Sequence, residues 1–264
     1  MRDIREGLLF GGLPYRAAGT GPAVVVFPGI EGDNADSSGR SRRRNLRVFR
    51  RLSRHFTVYV VNPKPGLAPG STLSDLAGHY AEAIRREFDE PVHLIGVSTG
   101  GSIAQAFAVD HPHLLNRLVL LCSACRLSPY GRQVQRRLAD LIRAGRPRAA
   151  WAATGPALAA TTIGGALFTM LMWLAGGRMN PADPADLLIT IAAEDIFDAA
   201  PDLPRVLAPT LVVGGARDRF YSPELFAVTA ELPPSARLCL YPGKGHVGTV
   251  AHRRAIMEID RFLT

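Results

Sequence analysis

Residues 93–111, HLIGVSTGGSIAQAFAVDH, begin as an apolar run, narrow to a serine between glycines, and continue with helical spacing. A buried strand that passes at once into a helix must reverse sharply, and residues two before and two after the turning position come too close to carry side chains. Gly96 and Gly100 meet that need around Ser98, so Gly-x-Ser-x-Gly predicts a serine lifted above a strand end at the amino end of a helix. The helix dipole and its free amides favour negative charge there. The five-residue pattern alone is weak, with on the order of a tenth of a chance match expected in a chain this long. Its surroundings decide its meaning.

Short, nearly all-apolar runs rich in β-formers recur at 23–29, 57–62, 92–97, 117–122, 210–215 and 236–241, as in strands buried on both faces. Helical patterns lie between most of them, at 73–88, 101–110, 223–232 and 249–263, which predicts a parallel sheet covered by helices on both sides. Two further runs, near 8–10 and 13–17, are joined through Gly-Gly and suggest an antiparallel edge hairpin. The alternation breaks once. From about Arg126 to Pro209 only helix-like segments occur, and such an insertion reads as a helical cap over the carboxyl ends of the strands, where open α/β sheets bind ligands. The expected division is a core of residues 1–125 and 205–264 with a cap of 126–204.

A serine hydroxyl is a poor nucleophile at neutral pH, so it needs a base, and the base needs an orienting acid. Asp218 follows the run TLVVGG and His246 follows ARLCLY. Carboxyl ends of neighbouring parallel strands share one edge, so Ser98, Asp218 and His246 can converge. Asp195 and Asp198 are rival acids, but both precede the strand.

The elbow GVSTG, the acid loop GARDRF, the histidine loop GKGH and the helical insertion before the acid strand resemble the serine-nucleophile branch of the α/β-hydrolase fold family, in order and spacing. The resemblance covers essentially the whole chain and implies an α/β fold with a mostly parallel, about eight-stranded sheet, flanking helices and a helical cap. It implies Ser98 as nucleophile, His246 as general acid and base, and Asp218 as its orienter. The oxyanion donors it implies are the N–H groups of Thr99 and, in the loop FPGIEGD, of Ile30. That loop departs from the family's common His-Gly start, because Phe27 and Pro28 precede Gly29 and proline has no amide hydrogen to donate. Relatives that cleave carbon–halogen bonds or epoxides carry aspartate at the elbow, so Ser98 argues against both activities.

Composition is that of a globular protein: 264 residues, 47% hydrophobic and 20% charged, enough for one main domain with a full core. The net charge of +8 is local, because residues 40–54 hold eight arginines and no acid, leaving 23 basic and 23 acidic residues elsewhere. Within that stretch Leu46, Phe49, Leu52 and Phe56 recur at helical spacing, which reads as a solvated helix face; an anionic membrane surface or acidic ligand is the alternative. No aromatic platform accompanies the arginines, so nucleic acid is not an expected partner. Cys122, Cys125 and Cys239 fit free thiols better than a disulfide framework. His111 and His113 read as a helix end rather than metal ligands, and neither a metal nor an organic cofactor is expected. The N-terminus shows no signal-peptide pattern, making a cytoplasmic location the expectation.

The stretch from Ala149 to Gly177 carries no charge. Its length exceeds the minimum for a membrane span. Pro156, the repeated glycines and a position between two halves of one sheet favour cap helices lining an apolar pocket, with peripheral membrane contact as the rival. Trp151, Phe168, Met172 and Trp173 are its candidate substrate contacts. The expected function is hydrolysis of an ester, thioester or lactone of a small, largely apolar acyl substrate. Carbon–carbon hydrolysis or acyl transfer would use the same triad, and a non-catalytic receptor is the alternative of another class.

Overall fold

In a computed structural model the described residues are 4–35, 39–179 and 183–264. Eight strands form one sheet in the order β1-β2-β4-β3-β5-β6-β7-β8. They are β1 Arg5–Leu9, β2 Leu13–Ala18, β3 Ala23–Phe27, β4 Thr57–Val61, β5 Val92–Val97, β6 Leu115–Leu121, β7 Thr210–Gly215 and β8 Ala236–Tyr241. The β1–β2 hairpin pairs antiparallel onto β4, and every other pairing is parallel. The six later strands fall where the sequence puts them, whereas the first hairpin strand, expected near 8–10, runs from Arg5 to Leu9 and Phe10–Gly12 form a 3₁₀ turn.

Strand alternation splits the core into two layers. Val25, Phe27, Leu94, Leu118 and Val212 face one side, where α2 Leu73–Glu87, α3 Thr99–Asp110 and α9 Pro223–Glu231 pack. Val24, Val26, Ile95, Val119 and Val213 face the other, covered by α1 Arg40–Val48 and α11 Arg253–Leu263. The start of α2 is fixed by a capping box, in which Thr72 Oγ1 accepts from Asp75 N–H at 3.1 Å and the Asp75 carboxylate accepts from Thr72 N–H at 2.8 Å. The Thr72 N–H, and after it the Thr72 hydroxyl, donate to that carboxylate and hold the Asp75 carboxyl below its ordinary pKa.

The arginine-rich stretch departs from one continuous helix. α1 ends at Val48, and Leu52 lies in a separate 3₁₀ turn, yet Leu46, Phe49, Leu52 and Phe56 are all buried against the sheet. Arg51 leaves the row of solvated cations, since its Nε donates to Asp260 of α11 at 2.6 Å. Cys122 and Cys125 are free thiols in opposite layers.

Between β6 and β7 the chain forms α4 Pro129–Arg143, α5 Pro147–Ala152, α6 Gly155–Leu158, α7 Thr162–Met179 and α8 Ala185–Asp195. Among the described residues no helix is long and apolar enough to cross a membrane. α7 instead packs on α5 and α6 through glycine. A Cβ on Gly155 would lie 2.4 Å from Thr169 N, and one on Gly176 would lie 2.9 Å from Arg148 Cα. The opposite face of α7 is open to solvent, with Ile163 at 85% exposure. The last short helix, α10 His246–Val250, follows β8.

Candidate active site

Ser98 stands between β5 and α3 with φ 51° and ψ −124°, a region that residues bearing a Cβ seldom occupy. Glycine makes the turn sterically feasible. A Cβ on Gly96 would come within 2.5 Å of Gly101 Cα, and one on Gly101 within 2.3 Å of Ser123 Cβ. Ser98 N–H donates to Leu121 O of β6 at 3.0 Å, which ties the strained residue to the sheet.

Asp218 follows β7 and is buried. Its Oδ1 accepts the backbone N–H groups of Phe220 and Tyr221 at 2.9 and 3.3 Å, leaving Oδ2 free to face His246 Nδ1 at 2.7 Å. His246 Nε2 then lies 3.0 Å from Ser98 Oγ. With the carboxylate accepting from Nδ1–H, Nε2 carries the lone pair and accepts from the serine hydroxyl. The rings of Phe220 and Tyr221 flank the imidazole at centroid distances of 5.0 and 6.1 Å. The acid and histidine loops are themselves joined, since Arg217 N–H donates to Lys244 O at 2.9 Å.

Asp195 and Asp198 are elsewhere. Arg136 holds Asp195 through two bonds of 2.9 Å, and Arg126 holds Asp198 at 3.0 Å.

The turn after β3 runs against the serine, for a Cβ on Gly29 would lie 3.3 Å from Ser98 Cβ. Gly29, Ile30, Asn34, Thr99, Ile103 and Thr190 line a cavity of about 10 Å³, close to the room one water needs. Thr99 and Ile30 thus share a wall of the same small space. None of the four expected substrate contacts lines it. Trp151 and Met172 pack in an apolar cluster that also touches Ile30, one layer away from the cavity. Phe168 is half-buried. Trp173 is 48% exposed, with the Arg148 guanidinium 5.1 Å above its ring. An uncharged sequence gave no sign of which side of α7 would face out.

Cys122 Sγ lies within 4.8 Å of the Asp218 and His246 ligand atoms, a grouping that can be imagined around a metal. The chemistry of the donors opposes it. The Cys122 thiol is already engaged, since its Sγ–H donates to His246 O at 3.3 Å. Asp218 and His246 are moreover engaged with each other.

Glu194, one residue before the rival acid Asp195, was not singled out by the sequence. It is buried on α8 and accepts hydrogen bonds from Thr99 and Ser102 of α3. Leu187, Ile191 and Glu194 share one helical face, but Asp195, four residues after Ile191, lies beside it, so spacing alone does not single out Glu194.

Residues 24–259 match the alpha/beta hydrolase family, and the chain belongs to it. A polyketide synthase, ThaQ, of Burkholderia thailandensis is 30% identical over 90% of this chain and 11% of its own length. A 2-hydroxy-6-oxononadienedioate/2-hydroxy-6-oxononatrienedioate hydrolase of Pseudomonas sp is 30% identical over 45% of this chain and 43% of its own. The chain therefore spans less than half the length of either relative. An esterase of Thermogutta terrifontis superposes with a TM-score of 0.76 at 22% identity, covering 99% of this chain and 98% of the other. That likeness concerns the fold.

Proposed function

We propose that the chain is a serine hydrolase that cleaves an ester, thioester or lactone of a small, largely apolar acyl substrate through an acyl-enzyme. The observation that carries this reading is the hydrogen-bonded series Asp218–His246–Ser98, with distances of 2.7 and 3.0 Å. His246 takes the serine proton as Oγ attacks the carbonyl, and Asp218 holds the ring and stabilises the imidazolium. The amides of Ile30 and Thr99 receive the oxyanion, at the end of a helix whose dipole favours that charge. His246 then returns its proton to the leaving group, and water repeats the sequence to release the acid. The insertion acts as a cap, and acyl entry displaces its wall at Thr190 or the loop at Ile30.

The ThaQ relationship is a reason to include polyketide-like acyl chains, as esters and thioesters, in a substrate screen. The Pseudomonas relative is a reason to test its named substrate class beside them. A serine-directed fluorophosphonate tests the mechanism. Labelling of the wild type at Ser98, lost in Ser98→Ala together with turnover, is expected; losing a triad member commonly costs on the order of 10⁴ in rate. Unlabelled, folded wild-type protein overturns the reading.

A further inference from the structure

Glu194 is a carboxylate buried to 1% exposure, and among the described residues no cationic side chain lies within ion-pair distance of it. Hydrogen bonds hold it in place. Oε2 accepts from Thr99 Oγ1 at 2.8 Å and Gln135 Nε2 at 2.7 Å, while Oε1 accepts from Ser102 Oγ at 2.8 Å and Tyr221 Oη at 3.2 Å. Two donors per oxygen suit an ionised carboxylate, which accepts and cannot donate. Thr99 and Ser102 lie in the first turn of α3, where a negative charge gains from the helix dipole. Tyr221 stays a phenol, since burial and then Glu194 itself push its hydroxyl well above its ordinary pKa.

The donors come from three segments around the site. Thr99 carries the amide beside Ser98, Tyr221 gives its backbone N–H to Asp218 and lays its ring along His246, and Gln135 belongs to α4 of the insertion. We propose that Glu194 is a positioning residue that joins the insertion, the nucleophile turn and the acid loop, and so fixes the Thr99 amide relative to the Ser98–His246 pair. Desolvating a buried acid is costly, and here hydrogen bonds from α3, α4 and the acid loop offset that cost. The proposal rests on the hydrolase reading of the same site.

Four variants separate a positioning role from a merely structural one, read with a short p-nitrophenyl ester and the rate of fluorophosphonate labelling. Glu194→Gln keeps the shape but presents a donor to groups that also donate. It should lower kcat and labelling rate about 10- to 100-fold, the loss a small displacement of reacting groups produces, with KM within about threefold. Thr99→Val removes the hydroxyl and keeps the backbone amide; it should lower kcat in the same way, and the double variant should lose no more than the larger single loss. Asp186→Asn loosens the other anchor of α8, which holds Gly66 and Leu67 N–H at 3.0 and 2.7 Å; it should lower Tm and leave kcat unchanged.

The proposal is overturned if Glu194→Gln turns over within about twofold of wild type, if its loss lies in KM alone, or if Asp186→Asn loses as much kcat. Should Glu194→Gln fail to fold, Thr99→Val decides, and an unchanged kcat rejects the role. Wild-type protein that is never labelled overturns the hydrolase reading and this proposal together, whereas equal labelling of wild type and Glu194→Gln overturns the positioning role alone.

Discussion

Gly100 sits directly beneath the backbone of Phe27: a Cβ there would lie 2.2 Å from the Phe27 carbonyl oxygen. That contact joins the first turn of α3 to the end of β3, the strand from which the Ile30 loop departs. Gly100→Ala must push the two apart, and the obstacle is backbone, which cannot rotate away. Overpacking of this kind costs about 1 to 3 kcal/mol. Both Tm and kcat should fall, because Thr99 and Ile30 separate as the strain is relieved. A thermal melt with a parallel rate measurement checks this, and unchanged kcat in folded Gly100→Ala would show that the gap is not critical.

The two aspartates that compete in the sequence should part sharply in activity. Asp218→Asn removes the acceptor that sets the histidine tautomer, so kcat should fall about 10⁴-fold with the fold intact. Asp195→Asn only loosens a surface pair with Arg136, worth about 1 kcal/mol or less. Its kcat should stay within twofold or so of wild type. Steady-state rates on one ester are sufficient to rank them.

Chain-length preference should respond to Ile103 more than to Trp173. Ile103→Ala enlarges the cavity beside Thr99, and a difference of one methylene in a pocket is worth about 10-fold or more in specificity. The ratio of kcat/KM for hexanoyl and acetyl esters should therefore rise by about that factor, while Trp173→Ala changes it by less than about twofold. The reverse ranking would return substrate recognition to the outer face of α7.

Stability should decline on the acid side of neutrality partly through His93. Burial first, and Arg117 second, lower its pKa in the folded protein, so the unfolded chain takes up the proton first as pH falls. The stabilisation from keeping His93 neutral is thus present above the unfolded pKa of about 6.5 and is lost as pH falls through the lower folded value. In His93→Gln, Tm should drop less steeply between about pH 7 and pH 5 than in wild type. Parallel slopes in a pH series of melts would count against this contribution.

The strands and the serine turn were legible because buried parallel strands are nearly all apolar and because a turn this tight admits only glycine beside it. The loops bearing Asp218 and His246 followed from strand order. The insertion between β6 and β7 was harder to read. In 149–177 there is no polar contrast to mark an inside, and only Gly165, Thr169, Met172 and Gly176, recurring at helical spacing, trace the face of α7 that packs inward. Helical spacing overstates the extent of α1 for another reason: Phe49, Leu52 and Phe56 are buried by successive turns of chain rather than by one helix, and periodicity alone does not separate the two. Nothing in the spacing marks Glu194, because its four donors are distant in sequence.

The outward face of α7 makes the molecule a surfactant with one oily side. Ile163, Leu167, Met170, Leu171, Trp173 and Leu174 all remain open to water, and full burial of a large apolar side chain is worth roughly 1.5 to 3 kcal/mol. Any boundary with a less polar phase, whether air, polystyrene or a phenyl resin, can collect part of that energy without unfolding the chain. Sulfate, which strengthens apolar association, should deepen the effect, and a trace of non-ionic detergent should relieve it. Enzyme lost from dilute stocks would then be enzyme adsorbed by α7, recoverable in folded form from the vessel wall.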